Sequence, residues 1–472
     1  MCRTRLAACA SLVWMLLASA CIPTLPGGRA RAPNTVVPPN YGGWADATNS
    51  AQMKWSEFFR DPKLNALIET ALKNNQELNI VSLEIDITQN EILARRGDFL
   101  PKLGFGLGAG IEKAGQYTSQ GVSDDAHGVP QNLPNFALGF SASWEIDIWS
   151  KLRNATKAAT LRYLASKEGR NFAITNLVGE IANSYYELVS LDARLDVVKQ
   201  NIELQKSALT VVKLQKEAAK VTELAVKRFE AEVLKNQSRQ YNIQQQIVET
   251  ENRLNFLIGR FPQHVDRSTQ RFAELVPPIV HTGIPSQLLE NRPDVKQAQL
   301  ELGAADLDFR AAKASFYPSL GIRANIGIES FDFLKLVSLP ASLAYGLAAD
   351  VMAPLLNRKG ITASYFTANS KQMQAVYHYE RAILSGYTEV LKLLSMIQNL
   401  EKSYDLQTQQ VEKLTQSIDI SSRLFASARA DYMEVLLTRR DALEAQLEQI
   451  ENKKRQLSAA VGLYQALGGG WR

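Results

Sequence analysis

The chain has 472 residues, of which 46% are hydrophobic and 21% charged, the balance of a folded protein rather than a disordered one. Its formal charge is +5, and setting aside the first twenty residues with Arg3 and Arg5 leaves 51 basic against 48 acidic groups, or +3. That is no cationic excess for nucleic acid, and the length leaves room for two or three ordinary domains.

The first element is an address. Arg3 and Arg5 precede the apolar run Leu12-Val13-Trp14-Met15-Leu16-Leu17 and the small residues Ala18-Ser19-Ala20 before Cys21. A cationic stretch, a short apolar core and small residues form an export signal, too short to span a bilayer. Small residues ahead of a cysteine predict acylation of Cys21 as the mature N-terminus, although Ala18 stands where a leucine is usual. Cys2 and Cys9 leave with the signal, so no internal disulfide is expected. A Pro/Gly-rich stretch, Ile22 to Gly43, then reads as an extended linker. Nothing downstream has eighteen continuous apolar residues, so an exported chain of this kind is either periplasmic or a β-barrel.

A helix over about Lys63–Phe99 leads into FLPKLGFGLGAG (Phe99–Gly110), which is echoed 217 residues later by FYPSLGIRANIG (Phe316–Gly327) after a second helix at about Asp294–Phe316. Period-two alternation marks four strands. Leu103, Phe105, Leu107, Ala109 and Ile111 alternate with glycines; Phe136, Leu138, Phe140, Ala142, Trp144, Ile146 and Ile148 alternate with small and polar residues through FALGFSASWEIDI. Leu320, Ile322, Ala324, Ile326 and Ile328 form the third set, and Leu343, Tyr345, Leu347, Ala349 and Val351 the fourth. Each is about the 9–11 residues that a tilted transmembrane strand needs. The segments read as two hairpins joined by polar loops at roughly 112–134 and 330–341, with Phe99, Trp149, Phe316, Tyr317, Phe331 and Phe333 at the strand ends as an interfacial girdle. A soluble sheet with one wet face shows the same period. Four strands cannot close a barrel, and an open edge in lipid leaves backbone groups unpaired at several kcal/mol each, so membrane strands of this number require several chains. Three chains make twelve strands.

Long helices follow each hairpin. Lys151 to about Ala218 has no proline and a three-four apolar period through Ile181, Tyr185, Leu188, Leu191, Leu195, Val198, Ile202 and Leu209; a return helix runs from near Thr222 to Ile258. The second half repeats this over about Thr362–Leu424 and Met433–Leu467, where Leu443, Ile450, Leu457 and Tyr464 recur every seven residues, with Leu447 and Val461 between. That repeat implies left-handed supercoiling against neighbouring helices. The predicted organisation is a signal (1–20), a lipidated linker (21–57), a first repeat (58–260; strands about 102–112 and 135–148, helical hairpin 151–258), a connecting segment (261–289), a second repeat (290–467; strands about 319–329 and 342–352, hairpin 362–467) and a tail (468–472). No chemistry is visible: His127, His264, His281 and His378 are scattered without metal-ligand spacing, GFGLGAG lies in a strand and does not fit G-x-G-x-x-G, and no nucleophile–base motif is present. An enzyme is not expected, nor a cofactor.

Several stretches resemble the TolC-like outer-membrane efflux family, specifically its lipoprotein branch: FFRDPKLNALIETALKNNQEL (58–78), ENRPDVKQAQLELGAADLDFRAAKASFYPSLG (290–321), SARADYMEVLLTRRDALEAQ (427–446) and ALGGGW (466–471). The resemblance implies an α+β membrane protein: a trimeric 12-stranded β-barrel, four strands per chain, continuous with a long α-helical coiled-coil tunnel in the periplasm, and built by internal duplication. It implies the exit duct of a tripartite pump exporting small toxic compounds, with a periplasmic membrane-fusion adaptor, an inner-membrane resistance-nodulation-division transporter and outer-membrane lipid as partners, and no nucleic acid. The hairpin turns at Ala219, Lys220, Val221, Thr222 and Glu223, and at Ala428, Arg429, Ala430 and Asp431, become candidate adaptor-docking tips. Asp431, Met433, Glu434, Leu437, Arg439, Arg440 and Asp441 become candidates for the periplasmic gate. Leu437 stands where the family often has an aspartate, so ion pairs and a hydrophobic constriction are both open there. Glu145, Asp147, Arg323 and Asp350 are candidate lumen residues, and Trp149-Ser150 replaces the usual Phe-Gly after the second strand. A type I secretion duct for unfolded protein is the alternative within the family; a periplasmic coiled-coil scaffold is the alternative outside it.

Overall fold

A computed structural model describes residues 22–25, 28–43, 48–267, 272–354, 358–427 and 429–472. The chain divides into two compact units, one holding 85–165 and 299–378 and the other 34–84, 166–298 and 379–472.

The first unit is built on a four-stranded antiparallel sheet, order β1 (Lys102–Glu112), β2 (Leu133–Ile146), β3 (Ser319–Ser330), β4 (Leu343–Met352). Both echoed phrases feed this sheet: Pro101 and Pro318 each stand immediately before a strand. Register keeps like with like. Phe105 pairs with Phe140, Leu107 with Leu138, Phe140 with Ile326, Trp144 with Ile322, Ile322 with Ala349 and Ile326 with Tyr345. One face is therefore apolar across all four strands, because a side-chain period of two cannot mix faces unless the register slips by one. The other face carries Gly104 opposite Ser141, Ser141 opposite Asn325, Ser143 opposite Arg323 and Gly321 opposite Asp350. Its glycines allow close packing: a Cβ on Gly139 would lie 2.6 Å from the Gly327 Cα.

The strand connections differ from the two polar loops expected. The first contains a helix, Ser119–Ala126, whose N-terminus is capped by Thr118 Oγ1 accepting from the Gly121 N–H at 3.1 Å. The second, 331–342, is not polar, since Phe331, Phe333, Leu334, Val337 and Leu339 are all exposed on it.

The second unit is helical, and helical segments also belong to the first. The helix expected over Lys63–Phe99 is two: α1 (Pro62–Asn74) and α2 (Gln76–Phe99). Asn75 breaks it, with extended backbone, its Oδ1 accepting from Leu78 N–H at 2.8 Å and its Nδ2 donating to Leu257 O at 2.8 Å. An asparagine that caps one helix while tying down another end leaves no signal in hydrophobic periodicity. After the Ser119–Ala126 helix (α3) come α4 (Lys151–Glu217) and α5 (Glu223–Ile258), then α6 (Pro293–Ala314), α7 (Lys359–Ala426) and α8 (Tyr432–Ala466). At 1.5 Å per residue, the 67 and 68 residues of α4 and α7 each make a helix of about 100 Å.

The core of this unit forms where apolar stripes at three-four spacing meet. Leu64, Leu67, Ile68 and Ala71 of α1, Val178, Ile181, Tyr185 and Leu188 of α4, Leu254 and Ile258 of α5, and Leu443, Leu457, Val461 and Tyr464 of α8 belong to one buried cluster. Phe58 stacks on Tyr464 at 4.0 Å between centroids. The N-terminal stretch is extended but held. In the first unit Asn369 donates to Gly28 O (3.1 Å) and Arg31 lies over the Tyr377 ring. In the second, Asn34 N–H donates to Glu380 (2.7 Å) and Tyr41 is fully buried against Tyr387.

Candidate functional site: the channel wall and the hairpin tips

The sheet's two faces set its possible environment. The apolar face is uncovered: Leu107 is 78% exposed and Leu347 79%. A soluble sheet buries such a face on a core; here the described residues offer it none. At the helix-side end, Trp144 Nε1 donates to Phe99 O (3.0 Å) and Trp149 Nε1 to Pro318 O (2.7 Å), while Trp149 stacks on Tyr317. Indoles with an apolar ring body and a satisfied N–H suit the boundary between lipid and water.

Three of the four charged candidates lie on the opposite face or at its rim. Arg323 Nε contacts Asp350 Oδ2 at 3.3 Å, the arginine exposed and the aspartate half-exposed, and Glu145 pairs with Lys151 at 2.9 Å. Asp147 has a different task. β2 ends at Ile146, and the Asp147 carboxylate, 2% exposed, accepts from the Leu152 N–H (3.1 Å) and Arg153 N–H (2.9 Å) at the start of α4, with Arg153 Nε at 3.2 Å. Burial opposes its charge, but the two backbone donors and the Arg153 guanidinium outweigh that and hold the carboxyl below its ordinary range. It locks the strand-to-helix joint, so the alternation that ran on through Asp147 to Ile148 overran the strand by two residues. The joint turns on Ser150, whose φ of 60° is the left-handed conformation that a glycine takes without steric cost.

At the other end of the long helices the two halves repeat each other. α4 closes with Lys220 N–H donating to Gln215 O at 2.8 Å, and α7 with Arg429 N–H donating to Leu424 O at 2.8 Å, the same six-to-one closure of a helix C-terminus. Ala219 takes φ 56° to permit it; Ala428 lies outside the described residues, as do the signal and Cys21. Lys220, Thr222, Glu223, Arg429 and Asp431 are exposed, whereas Val221 packs with Tyr432 and Leu436 on the cluster of Val212, Ala225, Val226 and Phe229. Ala430 is half-buried. Ion pairs run along the first hairpin: Lys216–Glu223 (2.6 Å), Lys227–Glu223 (3.6 Å), Lys227–Glu230 (3.0 Å) and Lys213–Glu230 (3.0 Å).

The gate candidates separate by helix face. Glu434, Leu437, Arg440 and Asp441 are exposed on α8, the last two in contact at 3.1 Å. Met433 and Arg439 turn to their own chain: the Met433 sulfur meets Arg228 at 2.8 Å, and Arg439 reaches Leu204 O at 3.4 Å. Burial pushes the Arg439 guanidinium down from its ordinary value.

A contact that the sequence did not assign joins its two most distinctive motifs. Arg292, from Arg-Pro-Asp, is buried; it donates to Ala466 O (2.6 Å) at the head of ALGGGW, to both Asp294 oxygens (3.0 and 2.8 Å) and to Glu389 (2.9 Å). Gly468 (φ 95°) and Gly469 then let the tail fold back, for a Cβ on Gly469 would meet the Tyr464 ring at 2.3 Å. Among the described residues no group of His, Cys, Asp or Glu could hold a metal ion, and no helix is long and apolar enough to cross a membrane.

One open sheet with an uncovered apolar face and a polar reverse face, built from two strand hairpins that are each followed by a long helical hairpin, defines the outer-membrane channel class. The family model for outer membrane efflux proteins matches residues 67–260 and again 284–469, and the chain belongs to that family; its place is the outer membrane and its role efflux. It is 29% identical over 450 residues to the pyoverdine export outer membrane protein OpmQ of Pseudomonas putida, covering 93% of this chain and 95% of that one. It is 26% identical over 427 residues to the cation efflux system protein CusC of Escherichia coli O6:H1, covering 90% of each. The open-state crystal structure of the MtrE outer membrane channel of Neisseria gonorrhoeae superimposes with a TM-score of 0.82 at 20% identity, covering 96% of this chain and 99% of that one. The family is one of efflux proteins, not of enzymes.

Proposed function

We propose that three copies of this chain close one twelve-stranded barrel and form the exit duct of a tripartite pump, passing small molecules outward. The observation that carries this reading is the pair of edges, β1 and β4, left without a partner strand among the described residues, on a sheet whose apolar face those residues leave uncovered. In lipid those edges need partners, and a second and third copy supply them. Two structural repeats, about 58–260 and 290–467, then contribute equally to wall and tunnel. Acylation at Cys21 adds an anchor; one acyl chain holds weakly and several hold firmly.

In this duct Glu145, Arg323 and Asp350 face the water-filled lumen. The tips around Ala219–Glu223 and Arg429–Asp431 dock a periplasmic membrane-fusion adaptor, and an inner-membrane resistance-nodulation-division transporter supplies the energy. At the gate, Leu437 replaces a carboxylate with an apolar ring, flanked by Glu434, Arg440 and Asp441. The names of relatives for pyoverdine export and cation efflux support a cargo of small solutes rather than proteins, with selection left to the transporter. The test is export from cells lacking their own exit ducts but retaining adaptor and transporter. Expression of this chain lowers accumulation of a fluorescent pump substrate, and unchanged accumulation with properly inserted protein would refute the assignment.

A further inference from the structure

The β3–β4 connection is built inside out. Leu334 is 84% exposed and Val337 76%, with Phe331, Phe333 and Leu339 exposed beside them. The polar groups, by contrast, bond inward: Asp332 N–H to Ser330 Oγ (3.1 Å), Leu334 N–H to Asp332 Oδ1 (3.0 Å), Ser338 N–H to Lys335 O (3.0 Å), Ser342 N–H to Ser338 O (3.1 Å) and Glu329 N–H to Ser342 O (2.8 Å). An ordered turn that satisfies its backbone internally and points its apolar side chains away has been shaped to meet something apolar.

Its direction is fixed by the sheet. Phe333 makes an edge-to-face contact with Phe136 at 5.4 Å. Phe136 is in line with Leu138 and Phe140 on the apolar face, while Asn135 and Glu329, hydrogen-bonded at 2.7 Å, mark the polar side at the same level. The turn thus extends the lipid-facing surface beyond the last strand residues and does not lean over the lumen. The first connection has no such excess: around α3, only Tyr117 and Val122 are large exposed apolar residues.

From this continuity we infer that residues 331–339 insert into the outer leaflet of the membrane, as an apolar anchor at the end of the sheet opposite the strand-to-helix joint at Asp147. Phe331, Phe333, Leu334, Val337 and Leu339 sit among acyl chains, and Lys335, also exposed, reaches back to headgroup level. The inference rests on the barrel reading above, and its test separates the two.

All three cysteines, at 2, 9 and 21, precede the described barrel, so an introduced cysteine can carry a nitroxide. Leu334→Cys and Val337→Cys, with Gln120→Cys as the loop control and Leu107→Cys as the barrel control, are labelled in the full chain and reconstituted in palmitoyl-oleoyl phosphatidylcholine vesicles. Collision with dissolved oxygen and with a water-soluble nickel chelate is read by power saturation. Positions 334 and 337 should match 107, with oxygen favoured and nickel several-fold suppressed relative to 120. Nickel access at 334 and 337 like that at 120, with 107 protected, overturns the anchor and leaves the barrel standing. Nickel access at 107 as well overturns both. Protection from both reagents, or spin–spin broadening that disappears on dilution with unlabelled chain, places the turn against protein and also overturns the anchor.

Discussion

Arg292 makes four polar contacts from a buried position, and two of its acceptors are carboxylates that no solvent shell can fully replace. Removing one partner of a buried pair costs about 3–5 kcal/mol; Glu389 is half-exposed, which puts Arg292→Ala at the low end, about 3 kcal/mol. Arg292→Lys keeps the charge but not the planar fork, and should recover only part of the loss in thermal unfolding of the detergent-extracted protein. Asp147 offers a pH-resolved counterpart. Its carboxyl is held below the ordinary range, so its contribution is complete above the unfolded value of about 4 and is lost as pH falls through the lower native one. Asp147→Asn should therefore melt well below the wild type at pH 7, and the gap should narrow at pH 3. A gap independent of pH would assign the residue a packing role alone.

At the scale of elements, the four strands and the long helices were legible because their periods, two and near 3.6, are long-running and unambiguous. Glycine and serine opposite Leu103–Ile111 and Phe136–Ile146 declared both faces of the sheet. The details that escaped lie where a single side chain overrides the pattern. Asn75 splits a helix by capping, Asp147 continues an alternation while serving the next helix, and the β3–β4 turn hides an exposed apolar surface in a stretch too short for any period. The meeting of Arg292 with Ala466 O is 174 residues apart in the chain, beyond what one sequence can reveal. The hairpin tip supplies an element-scale test. Ala219 holds a left-handed backbone that costs a Cβ-bearing residue about 1–2 kcal/mol, part of which glycine returns through its freer unfolded chain. Ala219→Gly should stabilise the turn by about 0.5–1 kcal/mol, slowing hydrogen exchange at the Lys220 amide about two- to fivefold. Faster exchange would mean the strain is absent.

For the whole molecule, the duplication explains why one chain can line a wide duct without a core of its own in the sheet. Each half gives one strand hairpin and one helical hairpin, and the sheet's apolar face is completed by lipid rather than by protein. What the chain lacks is closure, since among the described residues β1 and β4 each have one edge without a partner strand. The most direct test is native mass spectrometry of the detergent-extracted protein, read intact and after denaturation. The account predicts a trimer whose denatured chains each begin at an acylated Cys21. A monomer that extracts into buffer without detergent would contradict the shared barrel.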